Sequence, residues 1–321
     1  MNVTVTGAAG FLGRNVVAAV TAAGHRVTAL DRAGEQAVDV TDPVALVDAF
    51  ARAAPDVVVH LAATTTVGDS GLAGLVRVNV AGTQAVLGAA RAAGARRCLV
   101  ASSTAVFGDS VYAGRPLVEE TPVAPVTAYG WSKVAAESLV RLANTGRNEP
   151  WAVVVRLPAL FGPWEEPTPH RTLMSPPRQL VAAQERGESV VLAEGGARDW
   201  TFAPDVADAV LALATAPRLR HEIYHAGCGV TWRVDVLADL LQEHGSALEA
   251  TAGTTPTLDY GDDLGRSRDA LDAARLTDEL GVTFTTPRLA CRRYLDWLDA
   301  HRNTTGPIGL GPRLQGSTAH E

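Results

Sequence analysis

Short apolar runs alternate with alanine-rich stretches of helical period through the first half of this chain. Val57-Val58-Val59-His60, Cys98-Leu99-Val100-Ala101 and Ala152-Val153-Val154-Val155 are apolar at nearly every position. A strand with one face in water would alternate apolar and polar residues. A continuous run fits a strand covered on both faces, as in a parallel sheet between helices. The β-branched run Val3 to Thr6 and the stretch Arg26 to Leu30 read as two further short strands. Between and after them, Asn15 to Ala23, Ala85 to Ala93 and Val134 to Ala143 read as helices. The alternation predicts an α/β fold, a doubly wound parallel sheet with its ligand at the C-terminal ends of the strands.

The pattern changes at Pro158. Gly162 to Pro177 is rich in proline and has little periodicity, which predicts an irregular loop over the site. Helical signals return over Gln179 to Arg186 and Val234 to His244. Arg302 to Glu321 is rich in Gly, Pro and Thr without an apolar period, which predicts a flexible tail.

Composition narrows the class. A length of 321 residues allows one large domain or two modest ones with a substantial core. A net charge of −7 without a basic tract argues against a nucleic-acid surface. No run approaches the roughly 18 unbroken apolar residues of a membrane span. The first strand starts at once, leaving no room for a signal peptide, so a cytoplasmic protein is expected. Cys98, Cys228 and Cys291 are far apart without metal-ligand spacing, and are expected to be reduced thiols that bind no metal.

Two groups of residues carry chemistry. The first is Gly7, Gly10 and Gly13, spaced three apart between a strand and a helix. Glycines there permit a tight turn and let a pyrophosphate approach free N–H groups at the helix N-terminus. The next strand ends at Asp31, where a carboxylate can accept hydrogen bonds from an adenosine ribose and repel a 2′-phosphate. NAD is therefore expected over NADP, although Arg32 beside it could soften that repulsion. The second group is Tyr129 and Lys133, four residues apart and on one helix face. Lys133 is the chain's one lysine among 28 basic residues. Arginine serves every other cationic position, but it replaces poorly a compact ammonium beside a phenol. A free tyrosine is a weak base at neutral pH; a nearby ammonium favours its phenolate.

In this company the chain resembles the extended short-chain dehydrogenases/reductases of the NAD-dependent epimerase/dehydratase group. Thr6-Gly7-Ala8-Ala9-Gly10-Phe11-Leu12-Gly13 is similar to that family's TGxxGxxG loop. Asp39-Val40 resembles the pair that meets adenine, and His60-Leu61-Ala62-Ala63 the strand end beneath the cofactor. Asn79-Val80-Ala81-Gly82-Thr83 resembles NVxGT, and Ser102-Ser103-Thr104-Ala105-Val106-Phe107-Gly108 resembles SSxxVYG. Arg198-Asp199-Trp200 with Asp205-Val206-Ala207 resembles RDF…DVA.

The resemblance implies a Rossmann domain from residues 1–157 and about 201–228. A smaller interleaved α/β substrate-binding lobe would come from residues 158–200 and about 229–300. It implies Ser103, Tyr129 and Lys133 as catalytic residues. Gly7, Gly10, Phe11, Leu12, Gly13, Asp31, Arg32, Asp39, Val40, Leu61, Ala62, Ala63, Asn79 and Pro158 would join Tyr129 and Lys133 around NAD. It also implies a homodimer through the helices after Asn79 and around Lys133.

Reaction and substrate follow from two comparisons with the family pattern. The family's 4,6-dehydratases carry an Asp-Glu pair after the catalytic Ser/Thr; here those places hold Thr104 and Ala105. Neither moves a proton usefully at neutral pH, which resembles the 4-epimerases and also suits a plain dehydrogenase. The family's phosphate-binding Asn is replaced by Ala159, and Asp259-Tyr260-Gly261-Asp262 lacks the Arg of RxGD. Thr104 and Arg198 remain as substrate residues, with His170, Arg171 and Arg178, and also Arg266 and Arg268, as replacement charge. The expected function is a nucleotide-sugar 4-epimerase. The alternatives are a dehydrogenase of a free sugar, sugar acid or polyol, and a catalytically silent NAD-binding sensor or scaffold.

Overall fold

The computed structural model describes residues 1–33, 37–65, 71–168, 173–261 and 265–305. The continuous apolar runs are strands and the periodic stretches helices. In chain order come β1 (Asn2–Thr6), α1 (Phe11–Ala22), β2 (Arg26–Leu30), α2 (Pro43–Ala53), β3 (Val57–His60) and α3 (Gly71–Val76). A π-helical turn over Arg77–Gly82 leads into α4 (Thr83–Ala92) and β4 (Arg97–Ser103). A 3-10 segment over Thr104–Tyr112 follows, then α5 (Ala128–Ala143) and β5 (Ala152–Leu157).

Among the described residues the main sheet has six strands in the order β2-β1-β3-β4-β5 and then β9 (Ile223–His225), all parallel. Alternate residues of each strand face opposite helical layers. Val3, Val5, Val57, Val59, Leu99, Val153 and Val155 pack with Val16 and Val20 of α1. Val58, Cys98, Val100, Ala152 and Val154 pack with Leu46, Phe50, Val86 and Val140 on the other face. Both faces are dry, which is why these strands lack polar alternation. Strand order reverses between β1 and β3, so a crevice opens at their C-terminal ends.

Beyond β5 the chain forms β6 (Ala159–Phe161), α6 (Pro176–Arg186), β7 (Val190–Ala193), β8 (Trp200–Phe202) and α7 (Ala203–Thr215) before β9. It ends with α8 (Asp235–Glu243), β10 (Ala250–Gly253), α9 (Ala274–Leu280) and α10 (Pro287–Thr305). A separate apolar cluster gathers Phe161, Leu180, Leu192, Trp200, Trp232, Leu237, Tyr294 and Leu298. The intervening α7 contributes instead to the sheet, through Val206, Val210 and Leu213.

Several boundaries differ from the sequence reading. Helix α1 begins at Phe11, four residues before Asn15, because Gly10 serves as its N-cap. The expected irregular stretch ends early: Ser175 caps α6, and Pro176 and Pro177 occupy its first turn, where a missing N–H costs nothing. Residues 302–305, assigned to a tail, continue α10, since no Gly or Pro interrupts the chain before Gly306. The remainder of that tail lies outside the described residues. The helical run Gly71–Ala92 is long and apolar enough to cross a membrane by length and composition. Leu75, Asn79, Gly82 and Thr83 within it are buried in this fold.

Candidate active site

Glycines shape the crevice at the end of β1. Gly7 has φ +73, and a Cβ there would lie 2.6 Å from the Ala62 nitrogen. Gly13 sits so close that a Cβ would lie 2.0 Å from the Gly7 carbonyl oxygen. Gly10 donates to that same oxygen at 3.1 Å and then serves as the N-cap of α1, with no side chain of its own to cap the helix. Phe11 and Leu12 open the helix, and Leu12 lines a small apolar pocket with Leu61, Ala101, Val155 and Leu157.

Asp31 closes one side. Its carboxylate accepts from the amides of Ala9 (3.0 Å) and Arg32 (2.9 Å), which fixes it at the mouth of the crevice. Arg32 is exposed. The two residues expected at adenine diverge. Asp39 is exposed and accepts from the Thr41 amide, whereas Val40 is buried in the core under Gly82. Ala62 and Ala63 are half-buried, and the backbone of Ala62 lies against Gly7.

Asn79 acts as a staple. Its side chain bonds both backbone groups of Thr64 at 2.8 Å and reaches Ser132 at 2.9 Å. Ser132 in turn donates to the Tyr129 carbonyl. The loop after β3 is thereby tied to the first turn of α5.

Thr127 caps α5 by accepting from the Gly130 amide, and Tyr129 follows in the first turn, half-buried. Lys133 is buried one turn later and donates to the Ala101 carbonyl at 2.9 Å. Its ammonium lies 5.7 Å from the centroid of the Tyr129 ring. Burial brings the Lys133 pKa down to about 8, with the Glu137 carboxylate acting in the opposite sense. His60, at the end of β3, is held between the hydroxyls of Thr6 (2.7 Å) and Thr83 (3.1 Å). Burial, and then the Lys133 charge, push its pKa down to about 3, so it is neutral.

Strand alternation separates the two serines ending β4. Ser102 is buried and donates to Glu137 at 2.6 Å. Ser103 caps the next segment, accepting from the Ala105 amide at 3.2 Å, and its own O–H remains able to donate.

A cleft beside Ser103 is lined by Thr104, Pro158, Ala159, Arg198, Asp199, Arg268 and Asp269. Thr104, Arg198 and Arg268 were expected among the substrate residues, whereas Pro158 was expected beside NAD. The guanidinium of Arg198 lies between the rings of Trp200 and Tyr260 and donates to the Tyr260 carbonyl. Arg266 stacks on Tyr112, 3.7 Å from its centroid, on the segment that begins at Thr104. Arg178 is placed otherwise, its guanidinium held by the Glu165 carbonyl and Glu185. His170 and Arg171 lie outside the described residues. Asp199 and Asp269 were not expected to line the cleft. Asp199 accepts from Thr201, Cys228 and Leu271, and burial raises its pKa. Asp269 accepts from the Gly114 amide.

Known proteins place this geometry. The chain is 33% identical over 256 residues to a probable dTDP-4,6-dihydroxy-2-methyloxan-3-one 4-ketoreductase of Streptomyces antibioticus, covering 78% of each chain. It is 30% identical to a dTDP-glucose 4,6-dehydratase of Neisseria gonorrhoeae, covering 92% of this chain and 95% of that one. The solved UDP-glucose 4-epimerase of Thermus thermophilus, a complex with NAD, superposes with a TM-score of 0.74 at 26% identity, covering 92% of this chain and 99% of that one. The model of the NAD dependent epimerase/dehydratase family matches residues 3–227, which include the glycine cradle, Ser103, Tyr129 and Lys133, and the chain belongs to that family.

Proposed function

We propose that this enzyme binds NAD in the glycine cradle and interconverts the 4-epimers of a nucleotide-linked sugar. The fit rests on the cradle itself: Gly7 and Gly13 let the turn close against the Leu61–Ala62 and Gly7–Ala8 backbone, where any side chain would collide, and that turn leads straight into the N-terminus of α1. Gly10 and the first turn of α1 would take the pyrophosphate, Asp31 the adenosine ribose, and Lys133 the nicotinamide ribose. When bound, NAD supplies a hydride acceptor that can also return the hydride.

The chain's own residues handle the proton. Tyr129 takes it from the sugar hydroxyl. Lys133, charged below about pH 8, stabilises the phenolate this needs. Ser103 donates its O–H to the same sugar oxygen and holds it in line. Thr104 and Arg198 would position the rest of the substrate, with Arg268 beside them.

The observation carrying epimerisation is the absence of an elimination pair. Thr104 and Ala105 follow Ser103, and the cleft carboxylates Asp199 and Asp269 are both committed to hydrogen bonds. Among the described cleft residues none is left as a second acid/base, so removal and return of one hydride is favoured over loss of water. Ala159 in the place of a phosphate-binding Asn supports a second reading, a dehydrogenase or ketoreductase of a smaller sugar.

Incubation of the purified protein with NAD and either UDP-glucose or dTDP-glucose separates these readings. The 4-epimer without net NADH supports the first. NADH accumulation from a free sugar or sugar acid supports the second. A dehydrated keto-sugar would refute the argument from Thr104 and Ala105.

The same reading includes a homodimer through α4 and α5, whose outer surface exposes Trp131 and Leu142, in the cytoplasm. A monomer by light scattering at micromolar concentration would refute it.

A further inference from the structure

Behind Tyr129 and Lys133 lies a buried charge cluster that the reaction scheme leaves unused. Glu137 stands one turn after Lys133 on the same face of α5 and is 6% exposed. One carboxylate oxygen accepts from the Ser102 hydroxyl (2.6 Å) and from Arg156 Nε (2.9 Å). The other accepts from Arg156 Nη2 at 2.8 Å. Arg156 is 2% exposed, lies over the Phe107 ring and also donates to the Glu119 carbonyl. Sheet register builds this cluster: Ser102 and Arg156 are direct partners between β4 and β5. The residue before Ser102 is Ala101, whose carbonyl holds Lys133.

A carboxylate one turn from an ammonium in a dry interior attracts it strongly. Contact with Glu137 would draw the Lys133 ammonium away from Ala101 and Tyr129. Both Glu137 oxygens are instead committed to Arg156 and Ser102. We propose that Arg156 and Glu137 form a positioning unit for Lys133: Arg156 grips the carboxylate so that the ammonium stays on Ala101, facing Tyr129 and the cofactor crevice. The inference rests on the role given to Lys133 above.

The groups facing Lys133 are Tyr129 and Glu137 on its own helix, neutral His60 from β3, and Arg156 from β5 behind Glu137. The two members of the unit therefore act on the ammonium in opposite senses. Removing the Glu137 charge leaves an unbalanced cation near Lys133 and favours its neutral form. Removing Arg156 leaves an unbalanced carboxylate and favours its charged form.

Because Lys133 is the only lysine, protein labelled with carbon-13 at the lysine ε position gives one lysine resonance, and its titration reads this residue without substrate. Glu137→Gln keeps the shape and should lower the midpoint by about one pH unit. Arg156→Met should raise it by a similar amount. Midpoints that stay put, or that move in the same direction in both variants, would overturn the proposal.

Arg156→Met buries an unpaired carboxylate and can fail to fold. In that case the Glu137→Gln/Arg156→Met double variant, which removes both charges of the pair and leaves neither unpaired, replaces it. Its midpoint should lie above that of Glu137→Gln alone, and one at or below it would overturn the proposal. Since the titration needs no turnover, its outcome is independent of whether Lys133 and Tyr129 prove catalytic.

Discussion

Gly13→Ala is the sharpest test of the cofactor cradle. The added methyl carbon would stand 2.0 Å from the Gly7 carbonyl oxygen and 2.8 Å from the Ala8 Cα. Real contacts of this kind lie beyond 3.0 Å, so the two must part by about 1 Å. Gly7 cannot retreat, because its own Cα side is pressed against the Leu61–Ala62 backbone. The strain must therefore open the turn at Gly10, which bonds the same carbonyl. Overpacking of this kind costs about 1–3 kcal/mol. If the cost falls on the cradle, NAD should bind about tenfold to a hundredfold more weakly, at about 1.4 kcal/mol per factor of ten. Calorimetric titration with NAD, together with thermal unfolding with and without it, reads both effects. Parental affinity together with a parental unfolding midpoint would show that the loop has room the geometry denies, and the cradle argument would fail.

Three further outcomes follow from the same site. NAD should bind far more tightly than NADP, because Asp31 is pinned by two amides where a 2′-phosphate would lie; equal affinities by calorimetry would mean that Arg32 dominates. Lys133→Arg should lose at least about a hundredfold in turnover, and Tyr129→Phe at least as much while still binding NAD. The losses should not add in the double variant, because both act through one ionisation; parental turnover in Lys133→Arg would make the lysine incidental. His60 and His225 are buried and neutral, each with a pKa near 3, lowered first by burial and then by Lys133 and Arg156 respectively. Unfolding restores a value of about 6.5, so the unfolded chain binds more protons between those limits. Stability should be whole above about pH 6.5 and fall below it, by about 2 kcal/mol per histidine at about pH 5. Denaturant titrations across that range that gave a flat profile would contradict this.

Much of this site was legible because it lies on regular elements. The dry strands announced themselves as unbroken apolar runs, and the glycine spacing needed only a strand before it and a helix after. The spacing from Tyr129 to Lys133 put both on one helix face. Contacts between distant segments were not legible. β6 and β8 are three residues each and pair Ala159 with Trp200, so neither shows a period of its own. Pro176 and Pro177 looked like loop residues, although proline is at home in a first helical turn. Glu137 shares a face with Lys133, which the sequence does show, but its partner Arg156 arrives through sheet register. Ser102 and Ser103 are neighbours of the same type. Burial and the Glu137 contact show that Ser102 belongs to the interior, and capping of the next segment shows that Ser103 belongs to the strand end.

The placement of β9 has a consequence for how the chain comes to its native state. Strand β5 is bordered on one side by β4, and its other edge is covered only when Ile223–His225 docks. Everything from β6 to α7 is synthesised between the two. A nascent chain that has completed β5 therefore carries an open, apolar strand edge until α7 and β9 emerge, and such edges template association with other chains. Closing the sheet also requires a contact between residues far apart in sequence, which slows the final step. Truncation after β8 would make that transient state permanent: it removes the strand that seals the sheet and α7, which covers one of its faces.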